Sequence, residues 1–208
     1  MLTAEPKAYG ANWYAAARVE SPARARLIAE LDVDVCVIGA GLAGLTVARE
    51  VARRGWSVAV LETQSVAWSA SSRNSGVVLP GFFIGADALI ERAGMEQAKA
   101  LWALSAAGAE YVRTAARAMP GAELSENGWL HVSRTDNEDA LTHEAMLMTG
   151  EFGAEIEPWS VENVREVLNS PRYFHALHYP RAFCVNPFNY AMGLAADAEA
   201  TGARRLSC

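Results

Sequence analysis

The chain has 208 residues, of which 51% are hydrophobic and 20% are charged, so it can bury the core of one or two globular domains. Its formal net charge of −6 argues against nucleic acid binding, which requires a basic surface. Three cysteines without C-x-x-C spacing argue against a disulfide scaffold and a zinc site. There is no apolar leader and no run of about 18 uncharged apolar residues, so we predict a cytoplasmic protein without a membrane span.

Residues 1–31 are predicted to form an N-terminal arm that packs against the domain following it. The arm contains Trp13 and Tyr14, and its segment 22–31 has helical character. Aromatic side chains on such an arm more often anchor it by hydrophobic contact than bind a ligand.

An apolar run over residues 35–38 leads into a glycine-rich turn and then into a helical pattern that includes Leu45. The run suits a parallel strand that is covered on both faces, which would bury Cys36. Strand, turn and helix in this order are typical of a dinucleotide-binding βαβ unit.

The turn itself matches the motif G-x-G-x-x-G. Its glycines turn the chain, let a pyrophosphate approach the backbone, and let helix and strand pack closely. Unpaired N–H groups at the helix N-terminus stabilise such an anion without a basic side chain. The predicted contact residues are Gly39, Ala40, Gly41, Leu42, Ala43 and Gly44.

A second strand is predicted over residues 57–61, and Glu62 closes it. A carboxylate roughly 20 residues after the glycine turn accepts hydrogen bonds from an adenosine ribose. The charge of Glu62 would repel a 2′-phosphate, so an unphosphorylated ribose is favoured. Thr63, beside it, is included in the predicted site. The alternative is a glycine-rich turn beside a solvated glutamate.

Residues 64–76 are small and polar without a hydrophobic period, so they are predicted to form a loop. Following the second strand, this loop lies at the carboxyl edge of the sheet, where open α/β folds bind ligands. Arg73 could neutralise a pyrophosphate there. The alternative is a flexible surface connection.

Further along, the apolar spacing over 85–120 predicts a pair of helices, with Trp102 in the core. Residues 128–133 read as a strand of a second, antiparallel sheet. A helix over 137–152 and a short strand over 154–156 follow.

The last third is predicted to begin with a helix capped by Ser160. Residues 173–178 read as extended. A helix starts with Pro187 at its first position and ends near Gly202, and 204–208 begin where another strand is expected. None of the four histidines stands at ligand spacing from a cysteine or an acid, so no metal site is predicted.

These features together resemble the FAD-dependent oxidoreductases of the D-amino acid oxidase-like superfamily, most closely the gamma-glutamylputrescine oxidoreductase branch. The resemblance rests on residues 13–16, 34–41, 68–76, 127–130 and 186–194. At the loop, the family pattern is close to G-W-G-A-S-G-R-N-G-G, whereas this chain has serine at positions 69, 72 and 75. Each serine costs backbone freedom if the family glycine needs a positive φ.

The resemblance implies an α/β fold: an incomplete Rossmann-like FAD-binding domain with part of an α+β substrate domain. It divides the chain into the arm, a βαβ core with flavin loop over 32–82, a helical segment and partial substrate domain over 83–183, and a return helix over 184–208. Family members continue further, so the resemblance implies an N-terminal portion.

It also implies that the glycine turn holds the FAD pyrophosphate, that Glu62 binds the adenosine ribose, and that the loop passes beside pyrophosphate and flavin. The loop residues assigned to FAD are Ser69, Ala70, Ser71, Arg73, Asn74, Ser75 and Gly76. Family chemistry is oxidation of the C–N bond of an amine or amino acid, with hydride transfer to flavin and an imine product. No residue is assigned as the catalyst.

Three alternatives stay open. The chain could be a non-catalytic truncated remnant, or one subunit of a split flavoenzyme that needs its second half or a partner chain. A third alternative, an NAD-binding reductase, is disfavoured by the serine-rich loop.

Overall fold

The structure, a computed structural model, describes residues 13–16 and 26–207. In chain order its elements are α1 (Trp13–Ala16), β1 (Val35–Ile38), α2 (Leu42–Arg53), β2 (Val58–Glu62), a 3₁₀ helix (Ala70–Ser72), β3 (Val77–Val78), α3 (Ala86–Ala93), α4 (Met95–Arg117), β4 (Trp129–Val132), α5 (Glu138–Phe152), β5 (Glu157–Trp159), α6 (Val161–Val167), β6 (Ala176–Tyr179), β7 (Phe183–Cys184), α7 (Pro187–Ala200) and β8 (Arg204–Ser207).

The described residues form two compact units. The first unit comprises the described parts of 1–76 and 185–208 together with 116–123, and the second comprises 77–115 and 124–184. The predicted division of the chain at residues 31, 82 and 183 stays a prediction.

Most of the predicted arm lies outside the described residues. The helical character expected over 22–31 is wrong for its described part, 26–31, which has no helix. Arg26 instead forms a parallel bridge to Ser207, and the Leu27 amide donates to the Ser207 carbonyl at 3.0 Å. Backbone pairing with β8 therefore replaces a local helical pattern here.

The first unit is built on a parallel sheet with strand order β1-β2-β8. The βαβ prediction is confirmed, and β8 forms where the sequence predicts another strand. Helix α7 begins as predicted, with Pro187 in its first turn and the Asn186 side chain accepting a hydrogen bond from the Asn189 amide at 3.1 Å. These local signals fix the start of the helix that packs against α2.

The expectation that β1 is buried on both faces is wrong. Val35 and Val37 are half-buried, whereas Cys36 is exposed and Ile38 keeps 88% of its surface accessible. Helix α2 packs on the Val37 face. The opposite face borders a cavity of about 830 Å³ bounded by the segment 26–31.

A charged contact joins the two helices of the first unit. The buried Arg49 on α2 places its Nε 2.5 Å from Asp197 Oδ2 on α7, and Arg53 Nη2 lies 3.0 Å from the same oxygen. A buried guanidinium is costly without a counter-charge. Asp197 therefore compensates the charge that α2 buries against α7.

The variant Asp197→Asn should destabilise the protein by about 2 kcal/mol, because it leaves the Arg49 charge without its main partner. Urea unfolding would measure this loss. The matched control is Glu50→Gln, because Glu50 Oε1 lies 3.9 Å from Arg49 Nη1 and pairs mainly with the exposed Arg53, at 3.3 Å. It should cost less than about 0.5 kcal/mol. Equal losses in the two variants would contradict this assignment.

The second unit carries the predicted helical pair, α3 and α4, and the predicted antiparallel sheet, with strand order β4-β6-β5. Ser160 caps α6 as expected, accepting a hydrogen bond from the Asn163 amide at 3.4 Å. The predicted strand at 154–156 is wrong. Ala154 and Ile156 are buried in the core beside Leu177, and the strand itself lies three residues later.

Two histidines of this unit contact acids that are distant in sequence. His175 Nε2 lies 2.9 Å from Asp136 Oδ1, and His178 Nδ1 lies 2.8 Å from Glu157 Oε2. The hydrogen bond with His178 lowers the pKa of Glu157. Within the described ranges, no group of three histidine, cysteine or acidic side chains could hold a metal ion.

None of the helices in the described part of the chain combines the length and the apolar character that crossing a membrane requires.

Tyr179 provides a test of packing in the second unit. Its burial, with a smaller contribution from the charge of Glu144, raises the pKa of the phenol to about 12 from its ordinary value of 10.0. The folded-state pKa is raised, so the stability contributed by the neutral phenol is fully present below about pH 10 and is lost as the pH rises toward 12.

The Tyr179→Phe variant cannot ionise at this position. The unfolding free energy of the wild type should therefore fall relative to that of the variant by about 1 kcal/mol over this pH interval. This figure is smaller than the full pKa shift would give, because the ring is partly exposed and solvent screens its charge. Urea denaturation at a series of pH values measures the difference. Parallel pH profiles for the two proteins would contradict the burial of a neutral phenol.

Candidate functional site

The glycine turn joins β1 to α2 beside the end of β2. The Gly39 amide donates to the Leu61 carbonyl at 2.8 Å, which continues the strand pairing into the turn. A Cβ on Gly44 would lie 2.2 Å from the Gly39 carbonyl oxygen and 3.1 Å from the Val37 side chain. Only glycine therefore lets α2 start this close to the strand, as the motif predicts.

Glu62 is held at the turn by main-chain donors. Its Oε2 accepts a hydrogen bond from the Ala40 amide and its Oε1 one from the Gln64 amide, both at 2.8 Å. The Thr63 hydroxyl lies 3.5 Å from Oε1. Because a carboxylate has about four acceptor positions, this fixed group retains lone pairs for a further donor.

The loop over 64–76 reaches the N-terminus of α2. Ser71 Oγ accepts a hydrogen bond from the Leu42 amide at 3.0 Å, and the Ala67 amide donates to the Ala40 carbonyl at 2.9 Å. The structure thus brings together the glycine turn, Glu62 and part of the loop, three segments that the sequence predicts for one site. The Ser71 hydroxyl keeps its own proton to donate.

Other N–H groups of the turn have no acceptor among the described residues and are available to a ligand. The amides of Gly41, Ala43 and Gly44 donate to no other described residue, as expected at the start of a helix. These N–H groups and the helix dipole together favour an anion at this position.

The serines that stand in place of family glycines cause less backbone strain than expected. Among the described residues, the only non-glycine residues with positive φ are Ala67, at 57°, and Glu123, at 52°. Ser69 has a φ of −95°, and Ser72 and Ser75 also lie outside the positive region. The left-handed position of this loop is Ala67, where the family pattern has its first glycine, a departure that sequence reasoning missed.

Asn74 and Gly76 shape the end of the loop. Asn74 Nδ2 donates to the Ala70 carbonyl at 2.9 Å, and its Oδ1 accepts from the Gly76 amide at 2.8 Å. Gly76 has a φ of 73°, and a Cβ there would lie 2.1 Å from the Val185 carbonyl. These two residues thus fix the backbone of the loop.

The remaining loop residues lie further out. Arg73 is exposed and stacks on Trp68, with its guanidinium carbon 5.0 Å from the ring centroid, and no contact joins it to the described turn residues. Ser69 and Ala70 are exposed, while the Ser75 carbonyl accepts a hydrogen bond from the Tyr14 hydroxyl at 3.2 Å. Tyr14 of the arm thus supports the loop, a contact that the sequence pattern did not predict.

The hydrogen bond between Ser71 and Leu42 can be tested directly. Ser71→Ala removes the acceptor that satisfies the first amide of α2, so it should lower the unfolding free energy by about 1 kcal/mol. Ser69→Ala, on the exposed side of the same loop, should change it by less than about 0.3 kcal/mol. Chemical denaturation distinguishes the two, and a Ser71→Ala variant as stable as the wild type would contradict the cap.

Comparison with known proteins places these features in a family. The family model described as "FAD dependent oxidoreductase" matches residues 34–207, which include the turn, Glu62 and the whole loop. The chain belongs to this family. FAD is the cofactor by which the family is defined, and the family prediction is confirmed.

Among curated relatives, the chain is 30% identical over 164 residues to a probable oxidoreductase, OrdL, of Haemophilus influenzae, covering 78% of this chain and 38% of that protein. It is 27% identical over 194 residues to gamma-glutamylputrescine oxidoreductase of Escherichia coli, covering 93% of this chain and 46% of that protein. The chain therefore spans less than half the length of these two relatives.

Among solved structures, glycine oxidase from Geobacillus kaustophilus superposes with a TM-score of 0.64 at 23% identity. The match covers 84% of this chain and 46% of that enzyme. This similarity confirms the α/β FAD-binding fold.

Proposed function

We propose that the glycine turn, Glu62 and Ser71 bind FAD, and that the protein to which they belong oxidises the C–N bond of an amine or amino acid. The observation that carries the proposal is the convergence of open helix amides, a fixed carboxylate and a loop hydroxyl at one turn. The family match supplies the identity of the dinucleotide.

In this proposal the amides of Gly41, Ala43 and Gly44 bind the pyrophosphate, and the Ser71 hydroxyl donates its free proton to the same group. Glu62 accepts hydrogen bonds from the adenosine ribose with the lone pairs that Ala40 and Gln64 leave open. Because two main-chain amides already orient this carboxylate, little ordering is needed when a ligand binds.

The other residues predicted to bind FAD have supporting parts in this proposal. Thr63 places its hydroxyl beside the Glu62 carboxylate, and Asn74 and Gly76 fix the backbone of the loop. Arg73, exposed on Trp68, contributes positive charge near a bound anion without a fixed contact.

The proposed substrate class rests on what the similar proteins are named for. Gamma-glutamylputrescine oxidoreductase and glycine oxidase both act on nitrogen-bearing compounds by name. When bound, FAD would supply the acceptor for a hydride from the carbon beside the nitrogen. The described residues bind and orient the cofactor, and none of them is proposed as a catalytic acid or base.

FAD binding tests the proposal. The purified chain should retain FAD and bind it more tightly than FMN, which lacks the pyrophosphate and adenosine. Glu62→Gln should weaken FAD binding about tenfold, because it removes a charged acceptor for the ribose hydroxyls. Glu50→Gln changes an acid in the third turn of α2 that pairs with Arg53, and it should leave FAD binding unchanged. Flavin fluorescence titration measures all four affinities.

Equal binding of FAD and FMN, or an unchanged affinity in Glu62→Gln, would contradict the assigned site. Binding of NADH in preference to FAD would instead favour the reductase alternative. If FAD binds as expected but amines and amino acids are not oxidised, this chain alone is a cofactor-binding module, as in the remnant and split-enzyme alternatives.

A further inference from the structure

Strand β1 is an open edge of the parallel sheet in the first unit. It pairs with β2 on one side, and no strand in the described part of the chain pairs with its other side. The opposite edge of the sheet differs, because β8 is followed there by the backbone bridge between Arg26 and Ser207. The open edge of this sheet therefore lies at β1.

Two residues of β1 direct their backbone groups toward this open edge. The amides of Val35 and Gly39 donate to main-chain carbonyls beside and within β2, at 3.1 and 2.8 Å. Because the backbone groups of successive residues in a strand point to alternate sides, those of Cys36 and Ile38 point away from β2. Such a row of unpaired N–H and C=O groups is a template for pairing with another chain.

The side chains at this edge are apolar and accessible. Cys36 is exposed, and Ile38 is among the most exposed large apolar side chains of the described residues. Edge strands are commonly protected from pairing by a lysine, a proline, an inward-pointing charge or a bulge. The four residues of β1, Val-Cys-Val-Ile, include no charge and no proline. This edge therefore lacks the usual protection against another strand.

A second copy of the chain is complementary to this edge. Two β1 strands can pair antiparallel about a two-fold axis at Val37. Cys36 of each copy then lies opposite Ile38 of the other, and each such pair exchanges N–H···O bonds in both directions. The same two side chains cover each other on the exposed face of the sheet, so one symmetric contact satisfies both the backbone groups and the apolar surface.

The charges beside β1 favour the antiparallel orientation. Asp34 of one copy lies opposite Ala40 of the other, next to the amides that open α2, where the helix dipole favours negative charge. Parallel, in-register pairing would instead bring the two Asp34 carboxylates together, which is destabilising.

We infer that the chain forms a two-fold homodimer in which the β1 strands of two copies join their sheets into one continuous sheet. The surface lies in the first unit, and the inference does not depend on FAD binding.

Analytical ultracentrifugation of the full chain tests the inference, and the wild type should sediment as a dimer at micromolar concentrations. Ile38→Glu should weaken the dimer about tenfold, because the new carboxylate lies diagonal to Asp34 of the other copy. The control is Ile28→Glu, at a residue of the same unit that is 90% exposed but outside β1, and it should leave the dissociation constant unchanged.

Disulfide cross-linking tests the register of the two strands. In a Cys36→Ser background, Val37→Cys places the two new thiols opposite each other at the axis, within disulfide reach. Val35→Cys, on the same face of β1, lies opposite Gly39 of the other copy and should give no such link. Mass spectrometry of the linked peptides after mild oxidation distinguishes the two variants.

A wild type that stays monomeric would overturn the inference and leave the β1 edge to a different polypeptide. A dimer that Ile38→Glu leaves intact, or equal cross-linking of the Val37→Cys and Val35→Cys variants, would also overturn it.

Discussion

The architecture of the first unit depends on satisfying the N–H groups at the turn that opens α2. A helix leaves its first amides without partners inside the helix. At this turn, two amides donate hydrogen bonds to side chains that come from two other segments of the chain. Glu62, at the end of β2, accepts from Ala40, and Ser71, in the following loop, accepts from Leu42. These bonds fix the strand end and the loop relative to the turn. The same contacts leave the other opening amides exposed to a ligand.

Much of this arrangement could be predicted because its signals are local. The three glycines and the acid after the second strand act through backbone geometry within one βαβ unit. The start of α7 could be predicted for the same reason, since Asn186 and Pro187 are cap and first-turn residues whose preferences need no distant partner.

The wrong predictions concern contacts that local pattern does not determine. Whether Cys36 and Ile38 are buried depends on what covers the second face of the sheet, and an apolar run alone does not contain that information. Similarly, Ile156 reads as strand because it is apolar, although it belongs to the core. Glu157 joins the sheet through pairing with β6.

Long-range geometry also explains what sequence analysis missed at the glycine turn. The bond from Leu42 to Ser71 spans 29 residues, and its formation depends on how the loop folds back, including the left-handed Ala67. Family membership accounts for the cofactor, while the structure shows which amides are available to bind it.

The most direct test of the central assignment is the response of individual backbone amides to FAD in ¹⁵N-resolved NMR spectra of the chain. Binding at the opening of α2 predicts large saturable shifts for Gly41, Ala43 and Gly44, with Gly55 at the far end of the helix nearly unchanged. Saturable binding that leaves those three resonances in place would contradict it.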